Sequence, residues 1–135
     1  MPTYNSLNDL LSLVAKSADL CMKPWKYSVL LKEDNEMLNQ KEFTELLLKI
    51  ECRDEKGNRY IDNDLELEIY RSGKDLNITL SWSELPLRPI LWQGKHSLWM
   101  DAHTGERSIS PVEGEKLEAL ARRLRSAFAS QIINF

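Results

Sequence analysis

The chain contains two histidines, His96 and His103, which lie within or just after the aromatic segment from Trp92 to Trp99. Imidazole binds metals and haem iron and transfers protons near neutral pH. If the residues between the histidines form a strand, the two side chains lie about 20 Å apart, because a strand rises about 3.3 Å per residue. Since ligands lie about 2 Å from a metal ion, the two cannot share one ion within a chain.

A single histidine can still be an axial ligand of haem iron, with Met100 or a residue of another subunit as its second partner. The sequence therefore leaves open a small-ligand carrier for haem or another tetrapyrrole, with His96 or His103 as the ligand. The simpler interpretation places His96 at a strand edge and His103 in an exposed turn.

Other patterns for catalysis or metal binding are weak. The acidic run from Asp62 to Glu68 lacks the glycine and the closing glutamate of a calcium loop. Neither Cys21 nor Cys52 has a histidine beside it in the sequence, and the chain has no Gly-x-Ser-x-Gly elbow or glycine-rich phosphate loop. We predict no catalytic residue and no metal ligand, and we keep a hydrolase with an unrecognised site as a second alternative.

The aromatic segment is the most informative part of the sequence. Successive strand residues point to opposite faces, so Trp92 and Trp99 cannot both face the core if Leu91 and Leu98 also do. Either the sheet is covered on both faces, or part of the segment lines a pocket or forms an exposed apolar patch for a partner. The predicted ligand- or partner-binding residues are Trp82, Arg88, Trp92, His96, Trp99, Met100 and His103.

Basic residues crowd the last predicted helix at Lys116, Arg122, Arg123 and Arg125. Such a group can bind phosphate or an acidic patch of a partner. The alternative is that these cations offset the helix dipole and stay solvated.

A helix is expected at each end of the chain. Apolar residues recur at helical spacing behind Ser6, which predicts a first helix from about residue 6 to 20 with Ser6 as its N-cap. Ser110, Pro111 and Glu113 supply a capping serine, a proline at the first position and a glutamate at the third. They predict the start of the last helix.

The residues between the helices alternate between apolar and polar, which predicts strands. The turn Ser72–Asp75 joins two of them, and a second tight turn, Asp101–Gly105, leads to a closing strand at Arg107–Ile109. Residues 43–53 fit either a helix or a strand, and the strand is favoured. We therefore predict a single α+β domain over residues 1–135. It has a twisted antiparallel sheet of about five to seven strands, with an N-terminal and a C-terminal helix packed on it.

Charge and hydrophobicity argue against nucleic acid and membranes as partners. A net charge of −3 argues against nucleic acid, because binding to it rests on neutralising phosphates. No apolar run approaches the roughly 20 residues that span a membrane, and Met1–Ser6 lacks the features of a signal peptide. We expect a cytoplasmic protein with no membrane partner, in which Cys21 and Cys52 are buried free thiols.

Two stretches, Leu80–Pro86 and Trp99–Arg107, resemble small uncharacterised proteins of cyanobacteria, a resemblance that implies no named family and no known activity. The predicted architecture, an acidic domain with terminal helices around a twisted antiparallel sheet, is similar to that of the type III secretion chaperones. Those proteins are small homodimers that hold partner peptides.

The residue patterns favour a non-enzymatic binding or interaction module that self-associates through the 85–99 surface. Its expected partner is a second copy or another protein, with a small apolar ligand as a further possibility. The haem carrier and the hydrolase are the alternatives.

Overall fold

The computed structural model describes residues 7–32 and 45–131 of the chain. Its helices and strands, in chain order, are α1 (Leu7–Cys21), β1 (Lys26–Leu31), β2 (Glu45–Arg53), β3 (Leu65–Ser72), β4 (Asp75–Trp82), β5 (Ile90–Gln93), β6 (Ser97–Met100) and α2 (Gly114–Gln131). The six strands form one sheet in the order of the sequence, and every neighbouring pair is antiparallel. The predicted α+β domain, with its antiparallel sheet and two terminal helices, is confirmed.

The inner face of the sheet carries the core. In β2, Leu46, Leu48 and Ile50 are fully buried, and in register they face Ile69, Leu67 and Leu65 of β3. The same register continues to Leu80 in β4 and Leu91 in β5. Because strand side chains alternate between faces, each strand contributes every second residue to one apolar layer.

Both helices pack on this inner face. Val14 and Ala18 of α1 and Leu120 of α2 are fully buried in the same core as the strand residues. The end of α1 lies beside the start of α2, where Lys116 Nζ donates to the carbonyl of Lys23 at 3.4 Å. The opposite face of the sheet, called the outer face below, carries neither helix.

Residues 43–53 fit both a helical and a strand pattern, and the structure shows a strand over Glu45–Arg53. β2 pairs with β1 on one side and β3 on the other, so Leu48 meets both Leu31 and Leu67. Pairing on both sides satisfies the backbone of a central strand, which makes the helical interpretation of Glu45–Arg53 wrong. Residues 43 and 44, like Ser6, lie outside the described residues.

The predicted last hairpin and last helix differ from the structure in detail. The closing strand Arg107–Ile109 is reduced to one bridge, between Met100 and Arg107. The helix begins at Gly114 rather than at Pro111. The hydroxyl of Ser110, the predicted N-cap, donates to the Pro111 carbonyl at 3.3 Å instead of accepting from an amide. A Cβ on Gly114 would clash with Ser110 Oγ and lie 3.0 Å from the Trp99 ring, so a larger residue here would require these side chains to shift.

Within the described residues, no helix is both long enough and apolar enough to cross a membrane.

Candidate functional site

The aromatic segment is divided between the two faces of the sheet. Leu91 and Trp99 pair in register and point into the core, with exposures of 0% and 5%. Trp92 and Leu98 form the next pair, which points to the outer face. The alternation rule therefore holds, and only half of this segment is core.

Trp92 lies across the outer face. Its indole Nε1 donates to the Tyr70 hydroxyl at 3.0 Å, which links β5 to β3 across the intervening strand. A Cβ on Gly94 would come within 2.5 Å of the Trp92 ring, so the indole covers this glycine. Met100 belongs to the same face, where it pairs with Ile90.

A second aromatic group, called here the tryptophan stack, consists of Arg88, Trp82 and Trp99. The ring centroids of Trp82 and Trp99 lie 6.2 Å apart at an interplanar angle of 18°, and the Arg88 guanidinium lies 3.8 Å from the Trp82 centroid. Trp99 Nε1 donates to Glu118 of α2 at 2.7 Å. The structure thus brings three of the seven predicted binding residues together in a rigid arrangement with a cation–π contact.

Three large apolar side chains that are close in sequence to Arg88 or to the start of α2 are largely solvent-exposed. Leu87, Ile109 and Val112, called the end patch, have exposures of 75%, 87% and 98%. Leu87 precedes Arg88 of the stack, and Ile109 follows Ser108, whose amide donates to the Trp99 carbonyl at 2.8 Å. Sequence reasoning missed Ile109 and Val112 because it assigned them to a strand and to a helix start.

The two histidines do not meet. His96 lies in the turn between β5 and β6, and His103 lies in the turn after β6, where its amide donates to Asp101 Oδ1 at 2.8 Å. Both side chains are exposed. Across residues 7–32 and 45–131, no group of three or more histidine, cysteine or acidic side chains is placed to hold a metal ion.

A glutamate with a raised pKa, Glu68, lies on the outer face beside a second glutamate, Glu45. Glu45 and Glu68 are diagonal neighbours on β2 and β3, since Glu45 pairs with Tyr70 and Leu47 pairs with Glu68. The hydrogen bond to Glu45, together with burial and charge repulsion, raises the pKa of Glu68 to about 7. Glu68 is therefore an acid that titrates near neutral pH.

A buried carboxylate near the other end of β2 is a structural group. Asp64 has no exposed surface, and its oxygens accept two hydrogen bonds from Arg59 and one from the Cys52 amide, each at 2.7 Å. Burial raises the pKa of the Cys52 thiol, which makes it a poor nucleophile. Both cysteines are free, but Cys21 is only partly buried, so the expectation of two buried thiols is correct for Cys52 alone.

A cleft of about 780 Å³, called the helix cleft, lies between α1 and α2. It is lined by Leu13, Lys16, Ser17, Leu20, Arg122, Arg123, Ser126 and Ala127. Of the basic residues singled out from the sequence, only Arg122 and Arg123 line this cleft. Arg125 donates to the Leu76 carbonyl at 2.7 Å and Lys116 to that of Lys23.

The architecture defines a class, that of small α+β domains in which an ordered six-strand meander carries two helices on one face. Within this class, the chain belongs to the family described as a domain of unknown function (DUF8659), whose model matches residues 11–127. No curated protein and no solved structure matches the chain. The description of this family includes no activity, so the surfaces described above are the basis for a functional proposal.

Proposed function

We propose that the protein is a non-enzymatic interaction module that self-associates through the end patch and the adjoining part of the 85–99 surface. The observation that carries this proposal is the exposure of Leu87, Ile109 and Val112, at 75%, 87% and 98%. Removing apolar surface from water contributes about 25 cal/mol per Å², and grouped exposed apolar side chains mark interaction sites.

The tryptophan stack next to the end patch supports this assignment. Trp82 and Trp99 are each only 5% exposed, and Arg88 covers Trp82 at 3.8 Å. A rigid aromatic base orders the neighbouring backbone before binding, which lowers the entropy lost on association. Arginine, here Arg88, is also enriched among the residues that dominate interface energetics.

The charges around the end patch favour a second copy of the chain as the partner. Arg88 and Arg107 are basic, whereas Glu106 and Glu113 are acidic, and all four lie within a few residues of the patch in sequence. A two-fold interface brings the same surface of both subunits together, so it must be self-complementary. Mixed charge meets this requirement, while charge of one sign would favour an oppositely charged partner.

Cytoplasmic localisation is part of the same proposal. It is supported by two cysteines that are both free, because reducing compartments keep thiols reduced.

The test is the mass of the protein in solution, measured by sedimentation equilibrium over a range of concentrations. We expect the wild type to reach twice 15.7 kDa, and Leu87→Glu and Val112→Glu to stay monomeric because each places a charge in the apolar interface. Leu30→Glu is the matched control, since Leu30 is 48% exposed and lies on β1 at the far edge of the sheet.

Circular dichroism establishes that each variant is folded. A wild type that is monomeric at every concentration would contradict self-association. An oligomer that both patch variants leave intact would contradict the choice of surface.

A further inference from the structure

The helix cleft is separate from the surface proposed for self-association, and it is basic in an acidic protein. Three of its lining residues are cations, Lys16, Arg122 and Arg123, and none is acidic. The whole chain has a net charge of −3. Positive charge is therefore concentrated at this cleft against the overall balance, which favours an anionic ligand.

Two of these cations lack an acidic partner. In the part of the chain that the structure describes, neither Lys16 nor Arg123 lies within 4.0 Å of a carboxylate oxygen, whereas Arg122 lies 3.7 Å from Glu118. Arg59, by contrast, pairs with Asp64 at 2.7 Å. An anion in the cleft would supply the missing counter-charge.

The basic residues of the cleft are not placed to offset the dipole at the end of a helix. Neither α1 nor α2 has a basic residue in its last turn. Lys16 lies five residues before the last residue of α1, and helix-dipole effects fall off within the last turn. The charge of Lys16 is therefore directed at the cleft rather than at the end of the helix.

The walls and size of the cleft indicate a small ligand with an apolar part. Leu13, Leu20 and Ala127 contribute apolar surface, and Leu20 is 47% exposed. The stretch from Leu13 to Leu20 is about 10 Å long at 1.5 Å per residue, too short to seat a partner helix of several turns. A volume of about 780 Å³ lies within the range of small-molecule sites, roughly 300–1,000 Å³.

We propose that the helix cleft binds a soluble amphipathic anion, with one carboxylate or phosphate head and a short apolar tail. Lys16, Arg122 and Arg123 bind the head, and Leu13 and Leu20 contact the tail. The site is independent of the end patch, so its failure would leave the interaction module untouched, and the reverse also holds.

The first experiment is calorimetric titration of the full chain with decanoate and with decyl phosphate, each below its micellar concentration. Decyltrimethylammonium has the same tail and the opposite charge, and it serves as the ligand control. We expect saturable binding of one equivalent of an anion and no binding of the cation. Arg123→Gln and Lys16→Gln should each weaken binding about two- to fivefold, the effect of one solvent-accessible ion pair.

Lys56→Gln is the control variant, because Lys56 is an exposed residue of the turn between β2 and β3. It should bind decanoate as the wild type does. Either cleft variant can carry the test alone if the other does not fold.

Cys21 provides a local readout. It is partly buried, and burial raises the pKa of its thiol; the charges of Arg123 and Arg122 act against this rise. Cys52 is fully buried, so a thiol reagent reacts first at Cys21. Bound decanoate should slow that reaction several-fold.

The proposal is overturned if neither anion binds saturably, if decyltrimethylammonium binds equally well, or if both cleft variants retain wild-type affinity. It is also overturned if Cys21 is not protected. Binding to phosphatidylglycerol vesicles without binding of the free anions would assign the cleft to a membrane surface instead.

Discussion

Arg59 and Asp64 form a two-pronged ion pair in which both nitrogen–oxygen distances are 2.7 Å and the carboxylate has no exposed surface. The same carboxylate accepts the Cys52 amide, so it ties β2 to the segment that leads into β3. Although burial is the largest effect and raises the pKa of Asp64, these hydrogen bonds and the Arg59 and Lys49 charges together lower it below its ordinary value.

Removing Arg59 should leave a buried carboxylate without its main partner. We expect Arg59→Ala to lower the free energy of unfolding by about 3 kcal/mol, as found when one member of a buried pair is removed. Arg53 is the matched control, since its carboxylate neighbour Glu51 lies 3.8 Å away and is partly exposed. Arg53→Ala should cost less than about 1 kcal/mol. Urea denaturation measures the free energy of unfolding of both variants. Equal losses would show that the Arg59–Asp64 pair contributes no more than a surface ion pair.

The lowered pKa of Asp64 predicts a specific loss of stability in acid. An acid whose folded pKa is depressed contributes stability above its unfolded value, 3.8, and that contribution is lost as the pH falls through the folded value. Asp64→Asn should therefore be less stable than the wild type at pH 7, with a gap that narrows below about pH 4. Urea midpoints from pH 7 to pH 2 measure this gap, and a constant gap would contradict the assignment.

The raised pKa of Glu68 predicts a loss of stability at high pH rather than in acid. Its folded pKa, about 7, lies above the ordinary 4.5. The folded state thus binds the extra proton, and its stability falls as the pH rises between these values. At pH 8, Glu68→Gln should raise Tm by about 2–4 °C, because it removes a like-charge pair worth up to about 1 kcal/mol.

The control for Glu68 is Glu66→Gln on the same face of β3. Glu66 forms an ion pair with Lys32, so this change should give no gain at pH 8. Thermal melts of both variants at pH 5 and pH 8 test the pair. If Glu68→Gln melts like the wild type at pH 8, Glu45 and Glu68 do not repel each other.

Because the aromatic segment is divided between the two faces of the sheet, truncating Leu91 and truncating Leu98 should lower the free energy of unfolding by different amounts. Leu91 is fully buried in the core, while Leu98 lies half-buried on the outer face. Leu91→Ala should cost about 2–5 kcal/mol, as expected for a cavity in a core, and Leu98→Ala about 1 kcal/mol or less. Chemical denaturation checks the order, and a reversed order would mean that the strand faces are exchanged.

The local patterns of the sequence were sufficient for most of the fold. Alternation predicted the strands and the glycine turn at Ser72–Asp75, where Gly73 has a φ of +64°. The Asp101–Gly105 turn was predicted from the same logic, and Asp101 Oδ1 accepts two backbone amides there. The start of α2 was wrong by three residues, because the residues after Ser110 form a turn in which the Gly114 amide donates to the Pro111 carbonyl at 2.9 Å.

The sequence by itself determined most of the helices and strands, and that one face of the sheet is apolar, since both follow from side-chain periodicity along the chain. It did not decide between helix and strand for residues 43–53. Only the tertiary structure decided which surfaces are available. It placed Arg88 on Trp82 and left Val112 exposed. It also divided one run of arginines, so that Arg123 lines a cleft while Arg125 contacts the sheet. The physical reason is that exposure and proximity depend on the order and register of strands far apart in the chain, which periodicity does not encode.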